Sequence, residues 1–222
     1  MIGNIKLYVL LSSIFCVVIV AGNLIFQKFI VLNIFNFSFQ ISVGILFYPI
    51  TFLISDLITE FYGRSGGILT VRIAILCTVI VLCLIQIANF LPASDWSKID
   101  DKTFNRVFGA FEIGAGASLI SSYLGQATDI YVFSYIKKLT KGKYLWIRSN
   151  ISTILGQFVD SFIVVSILYI FNLIEFENSR VIIYSSIIFK IFATILSTPV
   201  YYLAYSFIRK YESDSTTKSS EI

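Results

Sequence analysis

The sequence LGQATD at residues 124–129 returns as LGQFVD at residues 155–160, and both copies lie inside long apolar runs. In each copy the glutamine precedes the aspartate by three residues, so the two side chains share one face if the segment is helical. A carboxylate at the centre of a bilayer costs about 2.5–3.5 kcal/mol on insertion scales, which argues that each aspartate has a role. We therefore predict that the two copies form two walls of one polar site within a helical membrane bundle.

The overall composition agrees with a membrane location. Of the 222 residues, 57% are hydrophobic and 14% are charged, and the mean hydropathy is +0.84. Soluble domains average about 45–50% apolar and about 25% charged residues. Several apolar runs also reach the length of about twenty residues that a membrane-spanning helix needs. These features predict an all-α membrane protein.

The available side chains narrow the possible chemistry. The sequence has no histidine, which is the commonest general base and a frequent zinc ligand. Its three cysteines, Cys16, Cys77 and Cys83, lie in apolar segments without CxxC spacing, so we expect no disulfide and no metal site. The net charge is only +4, and the basic residues lie in short loops, which fits orientation in a membrane better than nucleic-acid binding. No cofactor is expected.

The apolar runs predict a bundle of six transmembrane helices in a single domain, residues 1–210. The first run is too long for the apolar core of a signal peptide, so we interpret it as a retained span. The segment 28–40 is expected to be a short connection or interfacial segment, and residues 211–222 a disordered polar tail. The predicted spans are residues 7–27, 41–62, 71–91, 113–136, 149–173 and 181–208.

The basic residues predict the orientation, because an even number of spans puts both termini on one side. The terminal side would hold Lys6, Arg64, Arg72, Lys137, Lys138, Lys141, Lys143, Arg148, Arg209, Lys210 and Lys218. The opposite side would hold only Lys28, Lys98, Lys102, Arg106 and Arg180. By the positive-inside rule, both the N-terminus and the C-terminus are predicted to be cytoplasmic.

Five ionisable residues fall within the predicted spans, at a summed insertion cost on the order of 10 kcal/mol. They are Asp56, Glu60, Asp129, Asp160 and Lys190. Asp56 and Glu60 are four residues apart and share a helix face. Lys190 lies near mid-span and requires a partner among Asp56, Asp129 and Asp160.

Less specific interpretations of these residues remain open. Glu60 and Arg72 lie near span ends, so each could instead sit at the membrane interface, and Arg72 could also pair with a carboxylate. Lys190 and its partner could form a purely structural ion pair. Gln126 and Gln157 could serve only as hydrogen bonds between helices.

Four motifs occur in order along the chain. Tyr48-Pro49 leads to Ser55-Asp56-x-x-Thr59-Glu60-x-Tyr62-Gly63-Arg64, followed by Gln126-x-x-Asp129, then Arg148 with Gln157-x-x-Asp160-Ser161, and last Lys190 with Thr198-Pro199-x-Tyr201. Together they resemble the signature of the queuosine precursor transporter family, also called the putative vitamin uptake transporters. The resemblance extends over essentially the whole chain, although Phe111-Glu112-Ile113 before the fourth span is more charged than the family leads us to expect.

The resemblance implies a multi-pass protein of the bacterial inner membrane that imports a deazaguanine base or queuine for tRNA modification. It implies functional roles for Asp56, Glu60, Arg64, Gln126, Asp129, Arg148, Gln157, Asp160 and Lys190. The chemistry agrees, because carboxylates and amides suit the hydrogen-bonding edge of a purine-like base and rings can stack on it. We predict substrate binding by Asp56, Glu60, Gln126, Asp129, Gln157, Asp160 and Lys190. Supporting or gating roles are predicted for Arg64, Arg72, Arg148, Tyr48 and Thr198.

Three other functions are open from the sequence. The chain could be the substrate-binding subunit of a vitamin-type uptake system, in which case an ATPase partner is needed because the sequence has no Walker A motif. It could be an intramembrane enzyme with paired carboxylates, although it offers no histidine and no Ser/His pair. It could be a structural scaffold, which would not need so many buried polar groups. We expect a transporter and not an enzyme.

Overall fold

The computed structural model describes residues 4–26, 28–34, 37–108, 112–171 and 176–219. The described residues form six helices and one short β-hairpin. The elements are α1 (Ile5–Ile25), β1 (Phe29–Ile34), β2 (Phe37–Ser42), α2 (Val43–Phe90), α3 (Asp101–Phe108), α4 (Glu112–Leu139), α5 (Leu145–Ile170) and α6 (Phe176–Ser219). The predicted all-α class is confirmed for the body of the protein, with the hairpin as an addition.

Helix α2 consists of two helical segments that meet at Gly63. Gly63 has φ +77° and ψ 175°, a conformation that glycine tolerates and that interrupts the helix between residues 43–62 and residues 64–90. The predicted stop at Gly63 is therefore present, but the connection expected over residues 63–70 is helical. Gly67 permits this, because a side chain there would come within 2.6 Å of the Thr59 hydroxyl.

The hairpin replaces the expected connection or interfacial segment at residues 28–40. β1 and β2 pair antiparallel, from Phe29 opposite Ser42 to Ile34 opposite Phe37. In β2 polar and apolar residues alternate, which is the pattern of a strand and could have been read from the sequence. Ser42 then begins α2, since its hydroxyl accepts a hydrogen bond from the backbone N–H of Gly44 at 3.2 Å.

Within the described residues, four helices are long and apolar enough to cross a membrane. They are Ile5–Ile25, Val43–Phe90, Leu145–Ile170 and Ile187–Glu212. Helix α4 has 28 residues but is not among them, and it is richer in glycine and serine than its neighbours. The structure thus has several membrane-spanning candidates, while the arrangement of six spans with cytoplasmic termini remains a prediction.

The two ends of the chain meet at one end of the bundle. The Asn4 backbone N–H donates to Glu212 Oε1 at 3.3 Å, and the Tyr62 hydroxyl lies 3.3 Å from the same oxygen. The Tyr62 hydroxyl also donates to the Asn4 carbonyl at 3.0 Å. Helix α6 continues to Ser219, so most of the segment for which we expected a disordered tail is helical. The contacts of Glu212 give that extension a fixed point.

Candidate functional site

The two LGQxxD copies cross each other at their glycines. A side-chain carbon on Gly125 would lie 2.8 Å from the Gly156 carbonyl oxygen and 2.7 Å from Cβ of Asp160. Reciprocally, one on Gly156 would lie 2.7 Å from the Gly125 carbonyl oxygen and 2.9 Å from Cβ of Asp129. The glycines therefore let α4 and α5 approach backbone to backbone, and each aspartate stands beside the other copy's glycine.

The aspartate of the first copy lies in a cluster of hydroxyl groups. Asp129 is fully buried and accepts hydrogen bonds from Thr153 at Oδ1 and from Ser55 at Oδ2, both at 3.3 Å. Asp56 on α2 directly follows Ser55 and therefore lies near Asp129, and its Oδ2 accepts from Ser149. The two predicted site residues are thus together, and they are surrounded by neutral donors.

The aspartate of the second copy has a cation instead. Lys190 Nζ lies 2.7 Å from Asp160 Oδ2 and 2.8 Å from the Ser161 hydroxyl. The Tyr48 hydroxyl donates to Asp160 Oδ1 at 3.0 Å, and Lys190 Nζ lies 5.0 Å from the centre of the Tyr48 ring. Of the three partners that the sequence allowed for Lys190, the structure selects Asp160. Both residues are buried, so the ion pair is shielded from water.

The two glutamines are buried, and each uses one end of its amide. Gln126 Nε2 donates to the Thr51 hydroxyl at 3.0 Å, while its Oε1 has no partner among the described residues. Gln157 Oε1 accepts from the Thr194 hydroxyl at 3.3 Å, while its Nε2 has no partner within the same set. They connect helices, as one interpretation expected, and also keep one acceptor and one donor available.

Glu60 and Arg148 form a second ion pair near the turn between α4 and α5. Arg148 Nη2 lies 2.7 Å from Glu60 Oε2, and Lys137 Nζ lies 3.1 Å from the same oxygen. Arg148 also donates to the Gly142 and Lys143 carbonyls at 2.8 and 3.3 Å. Glu60 is therefore held inside the bundle end by two cations and does not extend into solvent.

Of three predicted supporting residues, two lie away from this polar interior and the third lies at its edge. Arg64 is exposed, with its guanidinium 3.6 Å from the centre of the Tyr131 ring. Arg72 is also exposed, so it does not join the buried acids. Thr198 is half-buried and donates to Asn150 Oδ1 at 3.1 Å. Of the three, only Thr198 lines the cleft described next.

A cleft of about 280 Å³, part of it open, lies between α2, α5 and α6. It is lined by Pro49, Phe52, Leu53, Asp56, Ser149, Thr153, Thr194, Ser197, Thr198 and Tyr201. Asp56 is the predicted substrate-binding residue on this wall. Asp129 and Gln157 lie one hydroxyl behind it, since Thr153 and Thr194 line the cleft and bond to them.

Sequence reasoning missed Ser149 as a site residue. Ser149, Thr153, Gln157 and Asp160 follow at steps of four, four and three residues along α5, which places them on one helix face. That spacing was readable in the sequence and would have identified Ser149 as a neighbour of the buried acids.

The family model described as "Putative vitamin uptake transporter" matches residues 42–204 of this chain. The chain belongs to this family. The matched range contains every residue predicted for the site, and among the helices α1 and the part of α6 after residue 204 lie outside it. Membership establishes a multi-pass membrane protein of a transporter family, which agrees with the expectation that the chain is not an enzyme.

Two relatives of the chain share one name with each other. A "Probable queuosine precursor transporter" of Bacillus subtilis (strain 168) is 25% identical over 181 residues, covering 81% of this chain and 78% of the relative. A protein of that name from Haemophilus influenzae is 27% identical over 169 residues, covering 75% of this chain and 69% of the relative. No solved structure matches the chain. The predicted resemblance to this transporter family is confirmed.

Proposed function

We propose that this protein imports a queuosine precursor, a deazaguanine base or queuine, across the bacterial inner membrane. The main support is the agreement of two observations. Relatives over most of the chain are named queuosine precursor transporters, and the family signature falls on a buried polar layer. Asp56, Asp129, Gln126, Gln157 and Asp160 all belong to that layer.

The available hydrogen-bonding atoms suit such a base. The aminopyrimidinone edge of a deazaguanine donates from an exocyclic amine and a ring N–H and accepts at a carbonyl oxygen. Asp56 Oδ1 and Gln126 Oε1 are buried acceptors and Gln157 Nε2 is a buried donor, none of which has a partner among the described residues. Phe52 and Tyr201 line the cleft and offer ring faces for stacking. Asp160, Lys190 and Tyr48 contact one another and would hold the neighbouring wall of the site in place.

Only about 10 Å³ of the cleft is accessible to a water-sized molecule, far below the roughly 300–1,000 Å³ typical of ligand pockets, so the cleft as it stands is nearly closed. We infer that a base enters when α6 moves away from α2 and α5, which opens the cleft toward Asp129 and Gln157. Thr153 and Thr194 are the hydroxyls between the cleft and those two residues. Such movement around a fixed polar layer is the alternating access expected of a transporter.

The contacts between helix ends support six membrane crossings. Asn4 and Glu212 meet, which favours an even number of crossings. Glu60, near the end of the first half of α2, meets Lys137 near the end of α4. Helix α2 has 48 residues, about 72 Å of helix, which is more than twice the roughly 30 Å hydrocarbon layer. Its two halves, broken at Gly63, then form separate spans.

The charge distribution supports a cytoplasmic position for the bundle end that holds both termini. The turn between α4 and α5 belongs to this end, because Arg148 and Lys137 both contact Glu60 there. That turn is the most basic loop of the chain, and basic loops face the cytoplasm. The Glu60–Arg148 pair would accordingly close the cytoplasmic end of the site.

The proposal is tested in a bacterium that can neither make nor import queuosine precursors. The gene is expressed, each candidate base is supplied at low concentration, and queuosine in tRNA is measured. We expect at least one base to restore queuosine, and Asp160→Asn or Gln126→Ala to abolish the rescue at an unchanged membrane level of the protein. Asp95→Asn, the same change as Asp160→Asn at an exposed loop position, is the matched control.

Two results would contradict the proposal. If no base restores queuosine although the protein reaches the membrane, this protein alone does not import these precursors. Binding of the bases to the purified protein then distinguishes a missing ATPase partner, for which binding is retained, from a wrong substrate class, for which it is absent. If the Asp160→Asn and Gln126→Ala variants transport normally, the buried layer is not the site.

A further inference from the structure

The buried charges divide into a balanced group and an unbalanced one. Asp160 and Lys190 neutralise each other at 2.7 Å. Among the described residues, the remaining group contains Asp56, Asp129 and Glu60, against the buried Arg148 and the partly exposed Lys137, and both cations contact Glu60 Oε2. If all three carboxyls were ionised, this group would be one positive charge short. A bilayer interior does not tolerate such an uncompensated charge without large cost.

The carboxyl groups that lack a cation are those of Asp56 and Asp129. The two carboxyl groups lie near each other, because Ser55, the residue before Asp56, donates to Asp129, and Thr153, which lines the cleft with Asp56, also donates to Asp129. The described hydrogen-bond partners of the two groups are the neutral hydroxyls of Ser149, Ser55 and Thr153. Two ionised carboxyl groups so close together would repel each other, and one hydrogen between them would remove that repulsion. Asp56 Oδ1 has no hydrogen-bond donor among the described residues, so it is free to take part in such a contact.

A second observation comes from Tyr201 on α6. Its hydroxyl is buried and has no hydrogen-bond partner in the described part of the chain, although the ring lines the same cleft as Asp56. Tyr201 also interacts electrostatically with both Asp56 and Asp129. A buried polar atom without a partner needs an explanation, and a hydrogen-bonding group that enters the cleft would provide that partner.

We propose that Asp56 and Asp129 share one proton and that this proton is coupled to the import of the substrate. The coupling role rests on the proposed transport function, whereas the shared proton does not. The titratable groups that face the pair are Glu60 from α2, Arg148 from α5 and Tyr201 from α6. Asp56 lines the cleft, so the proton and the substrate would enter the same space.

Arg148 supplies a route for release. Its guanidinium pairs with Glu60 at 2.7 Å and also interacts electrostatically with Asp56. When the Glu60–Arg148 pair opens toward the cytoplasm, Arg148 can turn to the aspartates. The carboxyl O–H bond then breaks, the proton passes to cytoplasmic water, and the carboxylate that remains is paired with the guanidinium. Inward movement of a proton is thereby linked to opening of that end.

The shared proton is tested without any transport assay, by infrared spectroscopy of the purified protein in lipid at neutral pH. We expect the carbonyl band of a protonated carboxylic acid in the wild type, and loss of that band in Asp129→Asn and in Asp56→Asn. Asp95→Asn is the matched control and retains the band.

The coupling role is tested in liposomes with a precursor base and an imposed gradient, at zero membrane potential. An inward proton gradient is expected to increase uptake by the wild type several-fold, and Asp129→Asn is expected to lose this stimulation. An inward sodium gradient is the alternative arm. Stimulation by sodium alone overturns the coupling proposal.

The two experiments fail separately. Absence of the infrared band in the wild type, or its persistence in both aspartate variants, overturns the shared proton whatever the transport result. Absence of uptake under any gradient, with the band present and sensitive to both substitutions, overturns the transport function and the coupling role together, and leaves the shared proton supported.

Discussion

Replacing Gly125 by alanine tests whether the crossing of the two LGQxxD copies holds the site together. The added carbon would lie 2.7 Å from Cβ of Asp160 and 2.8 Å from the Gly156 carbonyl oxygen. Ordinary contact begins near 3.4 Å, so α4 and α5 must separate locally by roughly 0.7 Å. Neither neighbour is the end of a flexible side chain, so the backbone itself has to move. Overpacking of this kind costs about 1–3 kcal/mol.

The separation also displaces Asp160 from the groups that contact it. Misplacement of a site residue by about 1 Å can lower activity by roughly 100-fold, so we expect a larger effect on uptake than on stability. The double variant Gly125→Ala/Gly156→Ala should cost less than the sum of the single variants, because the first substitution already separates the helices where the second one acts.

The assay combines thermal unfolding in detergent with uptake in liposomes. Gly116→Ala is the matched control, because it lies on the same helix and an added carbon there meets no atom within 4 Å. Alanine should stabilise the helix at this open position by about 0.5–1 kcal/mol, because alanine has a higher helix propensity than glycine. If Gly125→Ala unfolds and transports like Gly116→Ala, the close crossing does not hold the site and the reasoning is wrong.

Three further results are expected. Lys190→Met alone should destabilise the protein by about 3–5 kcal/mol, because it leaves Asp160 buried without its cation. The double variant Lys190→Met/Asp160→Asn should recover stability but not uptake. Thermal unfolding measures the first effect and a transport assay the second. Glu212→Gln should lower stability by no more than about 1 kcal/mol and leave uptake unchanged, since the contact joins chain ends away from the site. In a background without native cysteines, Ser97→Cys should react with an impermeant thiol reagent added to intact cells, and Lys141→Cys only after lysis; the reverse labelling contradicts the proposed orientation.

The parts of the fold that depend on local sequence were predictable. The stop at Gly63 follows from a glycine cluster at the end of an apolar run, and burial of Asp129 and Asp160 follows from their position inside such runs. The hairpin was missed because its period-two pattern is short and was read as a connection. The sequence predicts an end of α6 that is too early, because a polar composition alone does not show that Glu212 contacts Asn4.

The partners of the site residues were not predictable, because helical periodicity fixes a face but not the rotation and depth of one helix against another. Lys190 had three possible carboxylate partners, and only the packing of α5 against α6 selects Asp160. In the same way, Arg72 could equally have faced the bundle, while the structure leaves it exposed. Ser149 is the exception, since its spacing from Gln157 was available from the sequence.

The two LGQxxD copies are alike in backbone and different in charge, and this difference bears on how a carrier of this size could work. Each glycine packs against the other copy's aspartate, so the copies are equivalent where the helices cross. Yet Asp160 has a lysine at 2.7 Å, whereas Asp129 has hydroxyls and a second carboxyl. A carboxylate and a lysine in contact form a neutral pair, whereas two ionised carboxyl groups side by side repel each other. The same motif would thus provide one wall of fixed charge to orient a substrate and one wall of variable charge to couple its movement.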